Sequence, residues 1–234
     1  MLVEPLYEIA VKCTYCENSY KTMKVRPSFK KASKTDADFC VHYKDINPDF
    51  YVVRVCPFCG YAHTENFSDK WKPAQREVFY ERVAQNWSMR NYCGERTWED
   101  TLLSYKLALL SAQIRDEKSR VVAGLLHHLA WLYRSKGDWE QEERFLTFAL
   151  DAYVSVYETE GLDLNNARLM YLIGELNRRL SRFNEAVKWF SRIINDRKIM
   201  DAGMIRASRE QWIATREDML ATRMELPDEM KQAT

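Results

Sequence analysis

Glycine and proline are scarce in this 234-residue chain, with 7 and 6 copies. Such a supply of backbone breakers excludes a collagen-like or low-complexity chain. Most of the prolines fall in the first third, which predicts a loop-rich front and a helical body. Net charge is almost absent too: 35 Lys and Arg against 34 Asp and Glu leave +1. No global field therefore draws the chain toward nucleic acid or an anionic membrane. No apolar run reaches the ~18 residues of a membrane span. The opening residues carry no basic leader followed by an apolar core, so no signal peptide is expected and the expected compartment is the cytoplasm. Gly-rich phosphate loops, Gly-x-Ser-x-Gly elbows and His-Glu-x-x-His helices are also missing, and nothing favours catalysis.

Against these absences stand 46% apolar and 29% charged residues, the composition of a soluble globular chain with room for one or two domains. Six cysteines in a reducing compartment read as metal ligands or plain thiols rather than disulfides. Four of them form two knuckles, Cys13-Thr14-Tyr15-Cys16 and Cys56-Pro57-Phe58-Cys59-Gly60. Two residues between thiolates let a tight turn aim both sulfurs at one cation, and Gly60 permits positive φ just after the second pair. Four thiolates are the tetrahedral soft-ligand set that structural Zn²⁺ prefers. The shell is then closed, with no open position for water or substrate, so the expected zinc is structural. The 39 residues between the knuckles exceed the common ribbon spacing and read as an inserted hairpin. An iron–sulfur centre and a redox dithiol are the alternatives. A redox pair normally sits at a helix N-terminus in a βαβ setting, and neither knuckle does. Cys40 and His42 would share one strand face and are candidate extra ligands, against the plainer reading of a buried thiol beside a surface histidine. Cys93, before Gly94 at an expected helix end, reads as structural.

The expected fold class is mainly α: a small β zinc-ribbon-like module over residues 1–70, then antiparallel tetratricopeptide-like helix pairs over 71–234. Trp71-Lys72-Pro73 marks the boundary, because a residue before proline is biased away from helix. In the front, strands are expected over 38–43 and 50–55, joined through the Asn47-Pro48-Asp49 turn. Helices are expected over 75–92, 97–115, 119–136, 139–159, 165–180, 183–197 and 201–224, with short linkers that favour antiparallel neighbours. An internal repeat organises this body. Leu126, Leu129, Ala130, Tyr133, Gly137, Trp139, Leu146 and Ala149 recur 44 residues on as Met170, Ile173, Gly174, Asn177, Ser181, Phe183, Phe190 and Ile193. Trp98, Ala108 and Leu109 precede Trp139, Ala149 and Leu150 by 41. The spacing exceeds the ~34 residues of a tetratricopeptide repeat. An ordinary helical bundle is the alternative.

Two surface features are candidates for binding. Residues 12–34 hold seven basic residues and one acid. Of these, Lys21, Lys24, Arg26, Lys30, Lys31 and Lys34 form a strip that could follow a phosphate backbone, against the plainer reading of solvated loop lysines. Tyr133, Asn177 and Arg178 are candidates for the concave side of a repeat array, where such proteins grip peptides. His127-His128 lacks a ligand-type partner at i+4 and reads as a packed pair.

The string KTDADFCVHYKDINPDFYVVRVCPFCGYAHTENF, with the opening CTYC and the MKVR that follows, resembles a bacterial family known as domain of unknown function 2225. The similarity runs from about residue 5 to at least 200 and includes RTWEDTLLSYKLALLSA and RFNEAVKWFSRII. It implies a zinc-ribbon-like start, tetratricopeptide-like helices and a bacterial cytoplasmic protein, and it carries over no catalytic residue. Thr14 departs from the usual knuckle, where a proline commonly follows the first cysteine. The functional expectation is a non-enzymatic protein-binding adaptor or scaffold with a protein or peptide partner. The alternatives are a nucleic-acid-associated regulator using the basic strip and a thiol-based redox protein.

Overall fold

The computed structural model of the protein describes residues 3–160 and 166–231. It is mainly helical, with small antiparallel two-stranded sheets at the front. The strands are β1 Leu6–Lys12, β2 Ser19–Val25, β3 Ala32–Thr35, β4 Val41–Tyr43, β5 Arg54–Val55 and β6 Ala62–His63. The helices are α1 Pro73–Arg82, α2 Trp98–Arg115, α3 Ser119–Lys136, α4 Trp139–Glu160, α5 Ala167–Arg179, α6 Phe183–Asn195, α7 Ala202–Ala221 and α8 Asp228–Lys231. The helical body thus follows the expected periodicity closely from α2 to α7; residue 165, the expected start of α5, lies outside the described residues. Local chemistry sets the ends. Thr97 and Asp100 form a reciprocal capping box at α2, and Asp201 accepts the Met204 amide at α7.

The chain forms two compact units. One holds the residues up to Thr35 together with Cys40–Glu142; the other holds Asp36–Phe39 together with the chain from Glu143 onward. The 1–70 module expected from the sequence therefore lies, apart from Asp36–Phe39, in one unit with α1 to α3.

The front differs from expectation in three places. β1 and β2 pair in register from Leu6 with Val25 to Lys12 with Ser19. Neither strand was foreseen, because Leu6, Tyr7, Ile9, Ala10 and Val11 place apolar side chains on both faces and spoil the alternation. Second, strands 38–43 and 50–55 do not pair with each other. β4 begins only at Val41 and pairs with β3, while β5 pairs with β6. The alternation stops at Phe39, whose φ of 67° turns the chain out of any extended run. Third, residues 50–55 are strand only at Arg54–Val55, because Phe50 and Tyr51 close a 3₁₀ turn, Pro48–Tyr51, started by Pro48 and by the Asn47 side chain accepting the Asp49 amide at 2.9 Å. The carbonyls a strand would use belong to Arg96. Its buried guanidinium donates to Phe50 O at 2.9 Å, Val53 O at 2.7 Å and Tyr92 O at 2.8 Å.

Helix α1 also stops sooner than the expected 75–92. Val83 leaves helical geometry, and a 3₁₀ turn, Ala84–Asn86, follows. The shortening brings Trp87 onto the second knuckle. The end of α2 closes the stretch before α1: Glu117 accepts the Ser68 amide at 3.1 Å and its hydroxyl at 2.8 Å, while Arg115 pairs with Glu117 at 2.8 Å. Arg115 donates further to Ser68 O and Lys70 O.

In the second unit, α5, α6 and α7 bury Met170, Tyr171, Ala186, Phe190 and Ile193 in a common core. Gly174 lets α6 approach: a Cβ there would stand 2.7 Å from the Phe190 ring. The Asp36–Phe39 segment is held on α5. Tyr171 donates to Ala37 O at 2.9 Å, Arg179 meets the fully buried Asp38 at 3.5 Å, and Arg168 lies over the Phe39 ring at 4.2 Å.

Arg96→Met should leave the carbonyls of Tyr92, Phe50 and Val53 without their donor. The expected loss is about 3–5 kcal/mol, as for removing one partner of a buried charged network. Urea unfolding followed by tryptophan fluorescence measures it; a loss under about 1 kcal/mol would mean that water replaces the guanidinium there.

Candidate metal centre

Each knuckle is a turn at the end of a two-stranded sheet. Cys13 follows β1, and its amide donates to Asn18 O at 2.9 Å while its carbonyl accepts the Glu17 amide at 3.0 Å. Cys56 follows β5 in the same way: its amide donates to Tyr61 O at 2.9 Å and its carbonyl accepts the Gly60 amide at 2.9 Å. Four residues past the first cysteine of each pair the backbone is left-handed, at Glu17 with φ 63° and Gly60 with φ 74°. The two turns therefore share one geometry, though only the second uses glycine for it.

The fold brings Cys13, Cys16, Cys56 and Cys59 together, with their sulfurs all within 4.8 Å of one another. Cys13 Sγ lies 3.7 Å from Cys59 Sγ, and Cys16 Sγ lies 3.6 Å from Cys56 Sγ. Metal–sulfur bonds of about 2.3 Å in a tetrahedron place sulfurs about 3.8 Å apart, so the donor set fits a tetrahedral thiophilic ion. A disulfide would need about 2.05 Å. Electrostatics agree with the fit. Hydrogen bonding to Cys56, reinforced by burial, pushes the Cys13 thiol up to about 12. Hydrogen bonds to Cys13 and Cys56 raise Cys59 as well, while those from Cys13 and Cys59 lower Cys56 to about 2. The protein alone thus stabilises one thiolate at the expense of its neighbours. Ionising Cys13 and Cys59 beside Cys56 needs a cation among them. These four residues could hold a metal ion.

Two tryptophans flanking α1 clamp the knuckles. Trp71 Nε1 donates to Thr14 Oγ1 at 3.1 Å, so the residue that departs from the usual proline anchors the first turn by a hydrogen bond instead. Trp87 Nε1 donates to Pro57 O at 2.8 Å, and its ring lies flat against Gly60, where a Cβ would stand 2.4 Å away. Behind them Tyr15, Tyr61, Trp71 and Phe79 pack in tilted and edge-to-face pairs, with centroids 4.6–5.7 Å apart, and Arg115 caps Trp71 at 4.3 Å. None of this wall was read from the sequence, because its members are spread over 101 residues (from Tyr15 to Arg115) with no motif linking them.

The other candidates are placed as follows. Cys40 and His42 stand outside the four-sulfur cluster. Together with Asp49, His128 and Trp131 they line a separate concavity of about 160 Å³. Cys93 lies in a loop rather than at a helix end, with its thiol 3.6 Å from Val55 O. His128 stacks on Tyr105 and reaches Asp49 at 3.8 Å, and His127 is buried against Trp131. The basic strip does not form one face. Lys21 pairs with Glu8 at 2.9 Å, Lys24 pairs with Glu65 at 3.3 Å, and Arg26 donates to Glu4 O. Three positions apart on one strand, Lys21 and Lys24 project to opposite sides. Lys30, Lys31 and Lys34 are exposed on the following turn and β3. In the helical body Tyr133 and Asn177 are buried, and Asn177 donates to Ile173 O of its own helix at 2.8 Å. Arg178 pairs with Glu175 and Asp218 at 2.8 and 2.6 Å. None of the described helices is long and apolar enough to cross a membrane.

Gly60→Ala should combine a left-handed backbone penalty of about 1–2 kcal/mol with a clash against Trp87 worth about 1–3 kcal/mol. The expected readouts are a lower melting temperature and a red-shifted tryptophan emission. Wild-type stability would show that the Trp87 ring does not rest on this turn.

No curated protein matches the chain. A family model does, over residues 6–215: it is described as an uncharacterized protein conserved in bacteria, DUF2225. With that match covering most of the chain, the protein belongs to the bacterial family of domain of unknown function 2225.

Proposed function

We propose that this protein is a non-enzymatic adaptor of the bacterial cytoplasm. In this reading one structural Zn²⁺, held by Cys13, Cys16, Cys56 and Cys59, fixes the front, and tetratricopeptide-like helices engage a protein or peptide partner. The observation that carries it is the spacing of the four sulfurs. Four thiolates fill a tetrahedral shell, so the ion would supply folding energy and leave no open position for chemistry. Bound there, it would tie two turns far apart in sequence into one surface.

Two observations support the helical half of the reading. Gly137 and Ser181, related by the 44-residue offset, both take left-handed backbone, at φ 71° and 57°. The amide pattern around them is the same: Gly137 to Arg134 O and Asp138 to Tyr133 O, Ser181 to Arg178 O and Arg182 to Asn177 O. A partner surface is available on α7, where Ile213 and Leu220 are 54% and 51% exposed, seven positions apart and thus on one face. The pairing of Lys21 with Glu8, and the projection of Lys21 and Lys24 to opposite sides of β2, weigh against the nucleic-acid alternative.

Two outcomes test the proposal. Cys56→Ser should lower bound zinc from one equivalent toward none by elemental analysis, with front-end near-ultraviolet dichroism lost and most far-ultraviolet helix signal kept. One equivalent retained in that variant would sink the ligand assignment. In native lysate, tagged protein should retain a protein partner after nuclease treatment, and Ile213→Glu with Leu220→Glu should lower its recovery about tenfold or more. Partners that vanish with nuclease, or recovery unchanged in the double variant, would count against the adaptor.

A further inference from the structure

Away from the thiol cluster, the front carries a concavity of about 250 Å³ whose polar lining is Lys24, Lys30, Arg54, Thr64, Glu65 and Asn66. Three cations face one anion. Glu65 bridges two of the cations: Lys24 Nζ lies 3.3 Å from Oε1, and Arg54 donates to the same oxygen. The hydrogen bond from Lys24, with the charge of Arg54 beside it, holds the Glu65 carboxyl below the usual carboxylate range. The partners differ in how they are held. The Arg54 side chain is 19% exposed and sits on β5, whereas the Glu65 side chain is 62% exposed on the turn after β6. Arg54 belongs to the wall, and the carboxylate is the more exposed, removable partner. Lys30 is exposed at the rim. The buried Thr64 hydroxyl accepts the Asn66 amide at 3.3 Å, which leaves its own proton to donate.

We propose that this concavity binds a small phosphate-type dianion, with the Glu65 carboxylate as its resting occupant. A carboxylate covalently attached at the site has a high effective concentration, so a free monocarboxylate has nothing to gain by displacing it. A dianion with three or four oxygens does. It can accept from the Arg54 fork and from both lysines at once, and its two charges offset more of the three cations left when Glu65 swings out than a monocarboxylate can. The volume lies below the ~300–1,000 Å³ typical of drug-sized ligands, which suits a phosphate or the phosphate end of a small ester.

Titration of zinc-loaded full-length protein with inorganic phosphate, followed by amide chemical shifts at constant ionic strength, tests this. Saturable shifts are expected at Thr64, Glu65 and Asn66, with sulfate competing and acetate inert. Glu65→Gln removes the internal competitor and should tighten binding by up to about fivefold, the scale of one exposed ion pair. Arg54→Gln should weaken it by about tenfold or more, and Lys24→Gln provides a second loss variant should Arg54→Gln fold poorly by circular dichroism. A Glu65→Gln protein that shows no saturable phosphate binding overturns the proposal. So does binding indifferent to both Arg54→Gln and Lys24→Gln, or binding confined to a single-stranded oligonucleotide with inorganic phosphate inert.

Discussion

Four sulfurs drawn from two turns, 40 residues apart between Cys16 and Cys56, have to meet around one point. The rest of the front is arranged to make that meeting stable. Thiols offer only weak hydrogen bonds, so the turns need support from outside. It comes from the tryptophans flanking α1, each of which holds one turn by an indole N–H, with the Trp87 ring also against Gly60. A helix of ten residues is about 15 Å long, which sets the distance between the clamps.

The irregular backbone around the paired strands of the front is held by buried guanidinium groups. Arg96 gathers three carbonyls of chain segments that are otherwise irregular. Arg115 does the same for Ser68 and Lys70 while Glu117 neutralises it. Irregular backbone can be buried only if its polar groups find partners, and a planar five-donor fork is well suited to satisfy several carbonyls at once. Both arginines sit at the ends of helix α2, one just before it and one in its last turn. That single helix thus organises both the inserted segment and the approach to α1.

What was legible in the sequence follows from how local each signal is. The knuckles are four-residue patterns, and the helices α2 to α7 are long periodic ones, so both could be read directly. The β1–β2 hairpin was hidden because both of its faces carry apolar residues. The run from Phe50 to Val55 looked like a strand by propensity, yet the Asn47 side chain and Arg96 redirected its backbone. Phe39 illustrates the same override: an aromatic residue takes a left-handed conformation because Tyr171, Arg168 and Arg179 hold Asp36–Phe39 against α5. No propensity scale contains that information, since the partners lie more than 120 residues away. Thr14 shows the converse. It stands where a proline is usual, and its hydroxyl is the handle by which Trp71 holds the turn.

The positive-φ positions carry this reasoning to the helical body. Glycine occupies the left-handed site at Gly60 and Gly137, whereas Glu17 and Ser181 occupy the corresponding sites of the first knuckle and of the later helix turn. Left-handed backbone costs a residue with a Cβ about 1–2 kcal/mol. That cost is sustained only where surrounding bonds fix the turn. At Ser181 they do: its amide and that of Arg182 cap α5, and Phe183 one residue on is anchored in a core with Val187 and Met219. Moving the turn by one residue would rotate Phe183 about 100° around the helix axis and out of that core. The geometry of each turn is therefore set by what the next element must bury, and residue identity at the turn is the more variable quantity. Sequence comparison of the two helix turns sees Gly and Ser and finds little in common; the hydrogen bonds around them are the same.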